Sequence, residues 1–155
     1  MASVFVFWLV QRWGDTLFPD GGPDANQVTA LAQLDEDHDQ ELPTILDVLR
    51  DGINLAQHVL AERSVGFLRG KTYVRTGTRG PQNALMGKAH VSGVTRIDER
   101  TVQLTLEWTL RHIYFEQTTH LYNIQRLKRA QGLSPVVEVP RVGYWVVEGW
   151  DRSEP

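Results

Sequence analysis

The sequence predicts an α+β fold: a mostly antiparallel, curved sheet packed against one long amphipathic helix, with a shorter helix in the second half. Leu42, Ile45, Leu46, Leu49, Ile53, Ala56, Val59 and Leu60 recur at three- and four-residue spacing, the stripe of a helix with one apolar face. Val102, Leu104, Leu106, Trp108 and Leu110 alternate with Gln103, Thr105, Glu107, Thr109 and Arg111, the period of a half-buried strand. RLKRAQGLSP, Arg126 to Pro135, has a basic last turn followed by Gly132, Leu133 and Pro135, the ending of a helix that stops in a left-handed residue.

Taken in order, the elements begin with Val4 to Val10, apolar on both faces and rich in β-branched and aromatic residues, which reads as a covered strand. FPDGGPDAN, Phe18 to Asn26, is a loop by its prolines and glycines. Val28, Leu31 and Leu34 hint at a short helix, and LDEDHDQELP reads as an acidic turn. The main helix follows, about 20 residues long, with Pro43 in its first turn, Gly52 as a weak point and Gly66 as a stop. KTYVRTGTRG reads as part of a flexible basic loop over about residues 71–83. A strand is expected around Leu85 to Ile97, then a turn at Asp98-Glu99, then the alternating strand, whose apolar face should pack on the main helix. Thr118 or Thr119 would cap a helix carrying Leu121, Ile124 and Leu127. Val136 to Trp150 is strand-rich, broken at Pro140.

The 155 residues suit a single domain, and the absence of cysteine excludes disulfide and thiolate chemistry. The apolar run at the start is seven residues, too short to span a bilayer, and it lacks the flanks of a signal peptide. An intracellular protein or a component of a particle is expected. Net charge is −3, unevenly distributed. Residues 1–62 hold eleven acids and two bases, residues 63–97 seven bases and no acid, and residues 98–155 eight acids and seven bases. Such polarity suits head-to-tail association, where unlike patches meet and a ring closes.

KTYVRTGTRG lacks the spacing of a phosphate-binding P-loop. DEDHDQE lacks the spacing and glycine of a calcium loop and reads, with His38, as a solvated turn. No metal, cofactor or catalytic residue is expected. Within residues 63–97 only Phe67 and Tyr73 offer stacking faces, so nucleic acid is the poorer fit for the basic segment. On a continued strand, His112, Tyr114 and Glu116 would share a side with the apolar row. That placement is the alternative reading: an NTF2-like or hot-dog-like small-molecule enzyme or binding domain, with the three in a concave pocket. Trp150, among charges, is a candidate interface anchor.

The order of features resembles the tail-completion, minor tail and head–tail joining proteins of long-tailed bacteriophages. A long helix ending in AERSVGFLRGK leads to TYVRTGT, then two strands, then IYFEQTT, then a helix ending at Gly132. Val74, Arg75, Thr76 and Gly77 fall on the family's VrTG segment, and Tyr114, Glu116 and Thr118 loosely on its YvE.GT. Tyr73 stands where that family has proline, and Gln117 where it has glycine. The resemblance covers about Leu42 to Gly132. It implies a non-enzymatic virion assembly protein, made in the host cytoplasm, that forms a ring and contacts neck or tail proteins. Arg69, Lys71, Arg75, Thr76, Gly77 and Arg79 would then form the docking arm, its arginines seeking carboxylates on a neighbour.

Overall fold

The computed structural model describes residues 3–23, 41–77, 88–90 and 92–153. The fold is α+β, with helices and one small antiparallel sheet that stays open. By its contacts the chain divides into two compact units, Met1–Tyr73 with Thr105–Glu107, and Val74–Leu104 with Trp108–Pro155.

The first unit opens with α1 (Ser3–Phe5), a π-helical stretch (Val6–Arg12) and α2 (Gly14–Leu17). The strand expected over Val4 to Val10 is therefore a helix. A short run apolar on all sides does not distinguish a covered strand from a buried helix. The deciding period lies beyond it: Phe5, Leu9, Trp13 and Leu17, four residues apart, are all buried. The π-helical stretch ends where the Trp13 N–H donates to the Trp8 carbonyl at 3.1 Å, one residue wider than an α-turn.

The main helix forms where predicted, as α3 (Leu42–Ala61), with proline in its first turn. Its buried residues are Val48, Gly52 and Val59. The expectation that the whole Leu42–Leu60 stripe packs under a sheet is corrected: Leu42, Leu46, Ile53 and Leu60 are 64, 47, 40 and 48% exposed. Gly52 is a contact rather than a weak point. A Cβ there would lie 2.6 Å from Phe5 Cδ2, so glycine is what lets the Phe5 ring reach the helix backbone. Gly66 does not stop the helix either. The break falls just before it, and Ser64 opens α4 (Val65–Gly70) by accepting the Phe67 N–H on its hydroxyl at 3.1 Å.

The sheet has the order β1-β3-β2, with β1 (Thr72–Thr76), β2 (Val94–Arg96) and β3 (Thr101–Thr105). β2 and β3 are antiparallel, pairing Val94 with Leu104 and Arg96 with Val102. The Asp98-Glu99 turn forms as expected: Asp98 Oδ1 accepts the Arg100 N–H at 2.7 Å, and this bond, ahead of smaller contributions, holds the carboxyl below its ordinary range. The strand expected over Leu85 to Ile97 is confined, among the described residues, to β2; residues 85–87 and 91 lie outside them.

The chain leaves the sheet at Leu106, not beyond Leu110. From there α5 (Leu106–Ala130) runs 25 residues. The alternating row is thus half strand and half helix, because Leu106, Leu110 and Ile113 also satisfy helical spacing and are buried. α5 ends as predicted, on Gly132 at φ 74°, with the Leu133 N–H returning to the Lys128 carbonyl at 2.9 Å. Thr118 and Thr119 sit inside α5 and cap nothing. The strand expected over Val136 to Trp150 is absent; that segment holds one 3₁₀ turn, Tyr144–Val146.

Candidate functional site

The densest polar chemistry among the described residues lies inside the second unit. There the Tyr144 hydroxyl sits between two histidines, 2.8 Å from His90 Nε2 and 2.5 Å from His112 Nδ1. The three residues are 1, 4 and 4% exposed for His90, His112 and Tyr144. Aromatic rings surround them. Trp108 stacks on His112 with centroids 5.0 Å apart, and Phe115 lies 4.6 Å from His90.

Each member comes from a different part of the chain. His112 projects from α5. His90 precedes β2. Tyr144 is delivered by a backbone that closes directly onto α5: its N–H donates to Thr119 Oγ1 at 2.9 Å, and Thr119 in turn donates to the Phe115 carbonyl at 2.7 Å. Gly143, at φ 131°, makes this approach possible, since a Cβ there would lie 2.5 Å from Thr118 Oγ1. The segment is fastened further along. Trp145 stacks flat on Tyr122 with centroids 4.4 Å apart, and Arg126 Nη1 donates to the Asp151 carbonyl at 3.1 Å.

Both histidines are neutral. Burial, then the Arg111 charge, lowers His90 from 6.5 to about 4. Burial, then His90 and Arg75, lowers His112 likewise to about 4. Burial, then Glu116, raises the Tyr144 hydroxyl above its ordinary value. A phenol has one proton to donate, so it donates to one histidine and accepts from the other. His90 Nδ1 has no partner among the described residues. A buried N–H left alone is rarer and costlier than a bare acceptor, so His90 carries its proton on Nε2 and donates it to Tyr144. Tyr144 then donates to His112 Nδ1, and the bonds run in one direction. With this little exposure the relay is closed to a substrate. As built, it holds a chain segment in place.

The sequence-predicted site residues are dispersed. His112 and Glu116, four apart, share a face of α5, but Tyr114 falls on another face and is 49% exposed. A helix replaces the strand that would have aligned the three, so they do not converge. Burial raises the Glu116 carboxyl, which lies 3.6 Å from His120. Arg69 is on α4, its guanidinium forked onto Glu107 at 2.8 and 3.5 Å, so its charge is met within the chain. Lys71 lies over the Phe67 ring at 5.3 Å, and its carbonyl accepts the Leu106 N–H. Arg75 and Thr76 belong to β1, so the first part of the expected loop is a strand; Gly77 follows at φ 94°. Arg79 lies outside the described residues. Trp150 is half-buried, its N–H on the Val147 carbonyl at 3.2 Å.

His90 and Tyr144 were not legible as site residues. They are 54 positions apart in sequence and belong to no motif. The nearest signal is the Gly-Tyr-Trp run itself, a glycine beside two aromatics.

Elsewhere a groove of about 200 Å³ is lined by residues including Leu17, His58, Glu62 and Arg63. Three of its polar side chains have partners: Arg63 donates to the Leu17 carbonyl at 3.0 Å, and His58 lies 3.6 Å from Glu62. Among the described residues no group of three His, Cys, Asp or Glu is placed to hold a metal, and no helix is long and apolar enough to cross a membrane. The chain matches no family model, no curated protein and no solved structure.

Proposed function

We propose that this protein is a non-enzymatic assembly subunit of a virion, acting at the neck or tail by associating with its own copies and with neighbouring structural proteins. One observation carries the reading. α3 buries one face on its own unit and leaves a second apolar row, Leu42, Leu46, Ile53 and Leu60, between 40 and 64% exposed. Exposed apolar rows of this length belong to surfaces that dock. The uneven charge and the resemblance of Leu42 to Gly132 to tail-completion proteins support the virion setting. Arg75 and Thr76 on β1, with Gly77 after it, lie in the basic segment that this reading assigns to docking.

Sedimentation velocity across a concentration series tests the reading, with electron microscopy of the associated species. Mass should rise with concentration toward a closed ring, and Ile53→Glu should move that rise to higher protein concentration. A wild-type chain that stays monomeric at every concentration would overturn the proposal.

A further inference from the structure

The second apolar row of α3 has a spacing of its own. Leu42, Leu46, Leu49, Ile53, Ala56 and Leu60 are separated by four, three, four, three and four residues. This alternation of four and three is the pattern by which one helix seats against another over several turns. The row is distinct from the buried face, which uses Val48, Gly52 and Val59. The partner it fits is therefore a helix of similar length.

Resting on the assembly reading above, we infer that α3 pairs with α3 of a second copy, antiparallel, about a two-fold axis near residue 51. The layers then match by size. Leu42 meets Leu60 of the second copy, Leu49 meets Ile53, and Leu46 meets the small Ala56, so each large side chain finds room. The charges match as well. Antiparallel order sets the positive N-terminal end of one helix beside the negative C-terminal end of the other. Along the middle of the row the rim is internally neutral: Arg50 is bonded to its own Asp47 at 2.5 Å, and Asn54 and Gln57 carry no charge.

The area sets the strength. A helix of 20 residues is about 30 Å long and about 10 Å wide, so the pair covers roughly 600 Å² in total. Stable interfaces need about 1,200 Å² or more. The α3 pair is thus reversible and concentration-dependent on its own. A two-fold contact also closes at two copies. It adds to a ring made through another surface and cannot itself make one.

The chain contains no cysteine, so introduced thiols report without background. Leu49→Cys and Ile53→Cys, each in the full chain, are oxidised mildly with glutathione disulfide, alone and mixed, and the disulfides are identified by mass spectrometry. The heterotypic 49–53 link should outnumber both homotypic links, and adding Leu46→Glu to both chains should abolish it. Homotypic links in excess would mean parallel pairing and overturn the inference. No link in a protein that sediments as an oligomer would also overturn it, while leaving the assembly reading standing. No link in a protein that is always monomeric would remove both.

Discussion

Tyr144 holds the second unit together through one oxygen atom. Its hydroxyl is the acceptor for His90 and the donor for His112, and nothing else in the immediate ring cluster can serve both roles. Tyr144→Phe keeps the ring and removes that atom. His112 Nδ1 then loses its donor and the His90 N–H loses its acceptor. Each stranded group costs about 1–3 kcal/mol, so the variant should lose about 2–6 kcal/mol in urea unfolding. A loss indistinguishable from zero would mean that the two histidines find other partners. The sequence offered little help at this scale. His112 was singled out, but for an open pocket; its partners arrive from 22 positions before and 32 after. No local pattern encodes a meeting of that kind. Gly143 explains why the partner can arrive at all, since any side chain at that position would strike Thr118.

At the scale of elements, α3 was legible and α5 was misplaced for a shared physical reason. α3 has one unambiguous period. Around Leu104 to Leu110, two-residue alternation and helical spacing coincide, and neither glycine nor proline occurs from Thr101 to Gln131 to mark the corner. The cue that remained was composition. β-branched Thr101, Val102 and Thr105 occupy β3, whereas Leu, Glu, Arg and Gln become frequent from Leu106. What periodicity could not say of α3 is which part of a broad apolar arc is buried. Two substitutions separate its faces. Val48→Ala should cost about 1–3 kcal/mol, because Val48 is 8% exposed and packed. Leu46→Ala, on the exposed row, should stay within about 0.5 kcal/mol for the isolated chain. Chemical denaturation at low protein concentration checks both. Equal losses would show that the row is covered within the monomer.

For the whole molecule, the α+β class was readable because both periodicities are present, while the balance toward helix was not. The charge asymmetry has no counterpart in the fold's core, which carries its ionisable groups neutral. That neutrality sets the response to acid. Between pH 6.5 and about 4 the unfolded chain takes up protons at His90 and His112 that the folded chain refuses. Stability is therefore complete above that window and is lost as pH falls through it, by up to about 3 kcal/mol per histidine. Glu116, raised by burial, works in the opposite direction and offsets part of the loss. The melting temperature should accordingly drop between pH 6.5 and 4, and a flat profile would contradict a neutral, buried pair. The wide separation of His90 and Tyr144 also orders events in time. A ribosome adding about 5–20 residues per second needs roughly 3–11 s to cover the 54 positions between them. Over its second half, once Phe115 has been added, the nascent helix presents Trp108, His112 and Phe115 without the residue that seals them. Those seconds are when a chaperone has most to hold, so a defect at Gly143 should show itself as a lower yield of soluble protein during synthesis.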